Sequence, residues 1–228
     1  MKTRIISLIL VVIPFWTMGQ EQKVEVSGFF VPGYRLPLHI DTTSLCTKFI
    51  GLFKEDEKFH LKQTEGHYKE EYNDCLEESF IYLIPNEENC IFLFSDFTGY
   101  NTLPIDAING GKEIEMMPGK SFNFNYNNIV YTFQAEGEIA GSDIKNYTLS
   151  YAKTDSPTKQ TLVIHELIES TVVSILFIGD IDGDGEPDII LNATNHYEFL
   201  HIQLFLSSTK KKNELLHLEG EITEWSDC

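Results

Sequence analysis

Apolar and polar positions alternate in short runs along most of this chain, and turn-forming residues separate the runs. Stretches rich in β-branched and aromatic residues fall at 24–34, 58–62, 80–84, 90–94, 121–126 and 129–134. Others fall at 146–151, 161–167, 174–178, 188–192, 201–206 and 215–222. Runs of this length and composition predict strands. The clearest alternation lies between Ser121 and Phe133. Phe122, Phe124 and Tyr126 share one face, Asn127 and Asn128 can take the left-handed turn of a hairpin, and Tyr131 and Phe133 continue the pattern. No long window repeats apolar residues every 3.6 positions, so helices should be few and short. The expected fold is mainly β: antiparallel, sandwich-like sheets.

One apolar stretch differs from the rest. Lys2 and Arg4 precede an unbroken apolar run over 5–13, continued by Pro14, Phe15 and Trp16, with Thr17 and Gly19 ahead of Gln20. A basic start, a short apolar middle and small residues before a cut site predict a signal peptide over 1–19. The run is too short for a membrane-spanning helix, which needs about 20 residues. Its removal leaves 209 residues, and the loss of Lys2 and Arg4 takes the formal charge of the 228-residue chain from −18 to −20. The expected product is exported, secreted or periplasmic, with no later segment inserted in a membrane. A change of composition near residue 100 divides it into an acidic β-rich region over 20–100 and a second β region over 101–228. The two can equally form one continuous domain.

Charge and cysteines narrow the setting. The chain has 35 Asp and Glu against 17 Lys and Arg. That balance argues against nucleic acid, whose affinity comes mainly from cations neutralising phosphates, and against anionic membrane surfaces. Much of the acid is clustered between residues 55 and 88, as expected of solvated loops and strand faces. Lys210, Lys211 and Lys212 are the one basic run and read as a solubilising hairpin tip. Cys46, Cys75, Cys90 and Cys228 are even in number. In an exported protein they predict two disulfides in one of three connectivities; pairing Cys75 with Cys90 would close a short loop, and pairing Cys46 with Cys228 would tie down the C-terminus. Their spacing does not match a zinc site.

The strongest chemical signal lies between two of the expected strands. It reads Gly179-Asp180-Ile181-Asp182-Gly183-Asp184-Gly185-Glu186-Pro187-Asp188. Carboxylates at loop positions 1, 3, 5 and 9 can converge because the glycines let the backbone turn tightly between them. Calcium takes 6–8 oxygens, so Asp180, Asp182, Asp184 and Asp188, with Glu186 or a carbonyl near it and water, make the candidate metal set. Magnesium, which demands strict octahedral geometry and keeps its waters, suits this set less well. The loop is not an EF-hand, because its twelfth position is Leu191 and its flanks read as strands. The stretch ILFIGDIDGDGEPDIIL over 175–191 resembles the FG-GAP/VCBS-type repeat of integrin alpha chains and many secreted bacterial proteins. That resemblance implies calcium binding by Asp180, Asp182, Asp184 and Asp188 in a loop joining two strands. One copy of the unit is present, where propellers of the family repeat it in every blade.

Other motifs are weaker. His165-Glu166 begins like a zinc-protease helix, but the second His is missing and the segment reads as strand. Asn195, His196 and Tyr197 can line a small pocket. The leading expectation is an exported, non-catalytic calcium-binding β protein acting as a structural or interaction module for a protein or glycan partner. Two alternatives keep the calcium structural. One is a hydrolase, in which His165, His196 or His201 would converge on an acid. The other is a carbohydrate- or peptide-binding module presenting Tyr100, Tyr126 or Tyr197 beside the ion.

Overall fold

The computed structural model describes residues 28–56, 58–74 and 76–225. The expected signal peptide, the start of the 24–34 segment, Cys75 and Cys228 lie outside the described residues. The described chain is mainly β, in three antiparallel sheets, with one short 3-10 turn at Thr42–Ser44. No helix among the described residues is long and apolar enough to cross a membrane.

The first sheet contains β1 (Gly28–Phe30), β2 (Tyr34–Pro37), β3 (Lys48–Glu55), β4 (Lys58–Asn73), β5 (Glu78–Pro85) and β6 (Cys90–Ser95), in the order β1-β6-β3-β4-β5-β2. Its two edge strands are consecutive in sequence and separated by only three residues, 31–33. Six flat strands would put those edges about 24 Å apart. The connecting backbone can span at most about 14 Å. The sheet must therefore curl, and it forms a half-barrel. The curl is carried by β4, whose first half pairs with β3 and whose second half pairs with β5. Gly66 sits at the handover, where a Cβ would come within 3.0 Å of Leu83 and 3.2 Å of Phe49.

The second sheet is β8 (Ser121–Tyr126), β9 (Ile129–Ala140), β10 (Asp143–Lys153) and β11 (Lys159–Ile168), a four-stranded meander in the order β11-β10-β9-β8. The hairpin expected at Asn127 and Asn128 is present. Tyr126 pairs with Ile129, and the two asparagines have φ of 49° and 64°. The third sheet runs β15-β14-β13-β12-β7, from β15 (His217–Trp225), β14 (Phe199–Leu206), β13 (Asp188–Asn192), β12 (Ser174–Gly179) and β7 (Ile114–Glu115).

The third sheet lies between the other two. Ile189 and Leu191 of β13 join a core with Phe133, Tyr147 and Leu149 of the meander. Ile190, between them, joins a core with Leu52, Phe92 and Phe94 of the half-barrel. Both faces are covered, which explains the unbroken apolar runs in β12 and β13. A bulge between Ile175 and Phe177 puts Ile175 and Ile178 on the meander side and Phe177 on the half-barrel side. A smaller core of Phe49, Leu83 and Leu93 fills the half-barrel.

Three expectations need correction. The strand β3 has no counterpart among the predicted segments. Residues 49–53 are all buried, so it shows no alternation. The two described cysteines, Cys46 and Cys90, are free thiols rather than halves of disulfides. Each thiol donates to a backbone carbonyl two residues on, Lys48 O and Phe92 O. Burial pushes the Cys90 thiol up to about 12, so it behaves as a small buried hydrophobe. Lys210 is not simply a solubilising tip: it pairs with Glu186 at 2.8 Å.

Candidate metal site

The acidic segment 180–187 joins β12 to β13, with Gly179 opposite Asp188 at the base. Three features of the sequence shape it. Gly183 and Gly185 have φ of 78° and 86°, the left-handed conformation that glycine adopts without strain. Ile181 points inward and is fully buried in the core shared with the half-barrel, which anchors the loop at about 1.5–3 kcal/mol for a buried side chain of that size. Asp188, the first residue of β13, is fully buried and gathers the loop around itself. Its Oδ2 accepts from Ile181 N at 2.7 Å and Asp182 N at 3.2 Å, and its Oδ1 accepts from Ser207 N at 2.8 Å.

Carboxylate oxygens of Asp180, Asp182 and Asp188 lie within 4.8 Å of one another. Oxygens that share one calcium at 2.3–2.6 Å are at most about 5 Å apart, so the cluster is compact enough for a single ion. Asp182 and Asp188 are buried and Asp180 half-buried. The loop's own amides support them. Asp180 accepts from Gly183 N at 2.6 Å and Gly185 N at 3.1 Å, and Asp182 accepts from Asp184 N at 3.1 Å. The other two expected ligands are held differently. Asp184 accepts from Glu186 N at 2.8 Å, and both its carboxylate oxygens lie within 3.0 Å of the Ser207 hydroxyl. The Glu186 side chain turns to Lys210 at 2.8 Å and Lys153 at 3.2 Å.

The electrostatics follow from this packing. Burial raises Asp180 and raises Asp188 well above the ordinary carboxylate range; for Asp188 the Asp182 charge adds to it. Burial, with the charges of Asp184 and Asp180, pushes Asp182 up to about 6 against the hydrogen bond from Ser208. Burial also opposes charge on Glu186, but the two lysines outweigh it and hold that carboxyl below its usual value. Five carboxylates thus face two ammonium groups, both of which pair with Glu186, and Lys153 also lies 3.8 Å from Asp155. The three Asp that converge have an excess of negative charge in a desolvated place, which a divalent cation would neutralise. The Asp180, Asp182 and Asp188 cluster can hold a metal ion.

Residues far from the motif complete the site. Asn101 donates from Nδ2 to Asp180 O at 3.0 Å and from its backbone to Ile181 O at 2.7 Å. Asn127, from the meander's hairpin, donates to Gly185 O at 2.8 Å. Ser208 donates to Asp182 at 2.5 Å. The one sequence signal for these contacts is the basic run at 210–212, whose sign is opposite to that of the loop.

The candidate histidines are engaged separately. His165 contacts Ala193 O at 2.8 Å, His196 lies 3.5 Å from Glu169, and His201 lies 3.2 Å from Glu221. Each imidazole has its own partner, so they do not converge on one acid. Tyr197 is exposed and stacks on His196, but it follows the far end of β13 from the acidic loop. Tyr100 and Tyr126 are half-buried against the cores, and Tyr126 lies in the field of Asp180, Asp188 and Asp184. No protein-family model, curated protein or solved structure matches the chain.

Proposed function

We propose that this is an exported, non-catalytic calcium-binding protein whose ion fastens the β12–β13 loop and so rigidifies a β domain used in interaction with a protein or glycan. The observation that carries the reading is the convergence of Asp180, Asp182 and Asp188 in a buried loop between two strands. The donor set is all oxygen and all carboxylate, which suits a hard cation, and its spacing resembles the FG-GAP/VCBS-type loop, in which Asp184 is also a ligand. Calcium is favoured over magnesium because several carboxylates converge, where magnesium keeps most of its waters. An affinity of about 10⁻⁴–10⁻³ M, the range of extracellular modules, is expected. Export rests on the pattern over 1–19.

Terbium luminescence tests the metal reading. The phenol of Tyr126 is pushed up by burial and then by the charges of Asp180, Asp188 and Asp184, so a tyrosine lies in the field of the loop and can sensitise a bound lanthanide. Excitation of tyrosine should give terbium emission that millimolar calcium displaces and that Asp180→Asn reduces. Emission that is absent, or that persists unchanged in excess calcium, would refute the reading.

A further inference from the structure

The residues that follow β14 answer the acidic loop almost one by one. Ser208 donates to Asp182, Ser207 meets Asp184 and Asp188, and Lys210 meets Glu186. The segment 207–210 is therefore a strap lying along the loop, from a connection some twenty residues later in the chain. Asp180 is held instead by the loop amides of Gly183 and Gly185.

Ser207 has the most demanding position. It is fully buried, and its Oγ lies 2.9 and 3.0 Å from the two oxygens of Asp184 and 3.1 Å from Asp188 Oδ1. A hydroxyl has one proton, so when both carboxylates are ionised it can serve one of them at a time and must face the other lone pair to lone pair. A cation that draws charge from both carboxylates relieves that contact. A second observation lies on the meander side. The Tyr151 hydroxyl is buried, in the field of Asp188 and Glu186, and finds no hydrogen-bond partner among the described residues. Thr209 Oγ1, within the strap, is buried and unpartnered in the same sense. Polar groups left open around a carboxylate cluster mark a place where ion or water completes the set.

We infer that the strap 207–210 is the second half of the cation site. Ser207 is its positioning residue, fixing Asp184 and Asp188 in the orientation the ion meets. The inference rests on the calcium reading and adds what that reading does not contain: calcium occupancy and order of the β14–β15 connection are linked. Linkage is reciprocal, so whatever the strap gives to the ion, the ion returns to the strap.

The test uses calcium itself on the full protein, with calorimetric titration and amide hydrogen exchange. Ser207→Ala should weaken calcium binding by about 10- to 100-fold, the usual cost of losing a partner that orients metal ligands. Lys210→Gln should do the opposite and tighten it, because a nearby cation is removed and Glu186 is partly released. In the wild type, calcium should slow amide exchange across 207–216. Should Ser207→Ala fail to fold in EDTA, Ser208→Ala, at an exposed residue, and the wild-type exchange experiment carry the test. Wild-type exchange across 207–216 that ignores bound calcium would overturn the inference while leaving the calcium reading intact. A wild type that takes up no calcium would bring down both.

Discussion

Two hairpins lie side by side in this molecule and are closed in opposite ways. The β8–β9 hairpin turns on Asn127 and Asn128 alone, both in the left-handed region that asparagine tolerates better than most residues. The β12–β13 hairpin turns on eight residues, and backbone preference alone does not close them. It relies on Asp188 as a buried hub, on Asn101 and Asn127 from two other segments, and on the strap 207–210, and its converging carboxylates can hold a metal ion. A turn closed by its own residues asks nothing of the rest of the fold. A turn closed by converging carboxylates makes the whole fold answer for it, and ties all three sheets to one place. Asn127 belongs to both, since it shapes the first turn and donates to Gly185 in the second.

The largest effect should come from breaking the hub of the second hairpin. Asp188→Ala leaves Ile181 N, Asp182 N and Ser207 N without their acceptor in a buried place. Each such loss costs about 1–3 kcal/mol, so unfolding in calcium should lose about 3 kcal/mol or more, read by urea denaturation.

Next comes pH. Asp182 is raised from 3.8 to about 6 in the folded chain, and Asp188 is raised in the same direction. Folding therefore favours their protonated forms. That contribution is complete below about pH 4 and is lost as pH rises through about 6. In EDTA the urea midpoint should fall between pH 4 and pH 7. In saturating calcium the trend should reverse, because the ion needs the carboxylates deprotonated. Asp182→Asn should flatten both profiles.

The first hairpin should show smaller effects that ignore calcium. Asn128→Ala keeps the backbone at φ 64° but removes the short polar side chain that makes the left-handed region tolerable, and should cost about 1 kcal/mol, equally in EDTA and in calcium. Asn127→Gly keeps the left-handed turn but removes the donor to Gly185. It should cost about 0.5 kcal/mol, a net hydrogen bond at the low end, and only this change in the first hairpin should alter the calcium increment.

The same contrast explains what could be read from the chain. The meander has one covered face, so β8 alternates, and its observed bounds are the expected ones. The acidic loop was legible because its carboxylates sit at alternate positions of one short segment. The strand β3 was not legible. Its run Phe49-Ile50-Gly51-Leu52-Phe53 is buried throughout between β6 and β4 and has no period to detect. The long β4 shows only its first turnings as apolar alternation, because its second half is rich in Lys and Glu yet pairs fully with β5. The strap was missed for a different reason: Ser207 and Ser208 acquire their role only when β14 ends beside Asp182, Asp184 and Asp188. Contacts of that kind depend on topology, and no local pattern announces them.

The central claim is that a cation fastens the second hairpin, and the unfolding midpoint in EDTA against 10 mM calcium tests it most directly, on the wild type beside Asp182→Asn. With a dissociation constant of about 10⁻⁴–10⁻³ M, calcium at that concentration should stabilise the wild type by about 1.4–2.7 kcal/mol. For a chain of this size that is a rise of about 3–10 °C. Asp182→Asn should show little of it. Equal midpoints for the wild type in the two buffers, or an equal rise in the variant, would contradict the account.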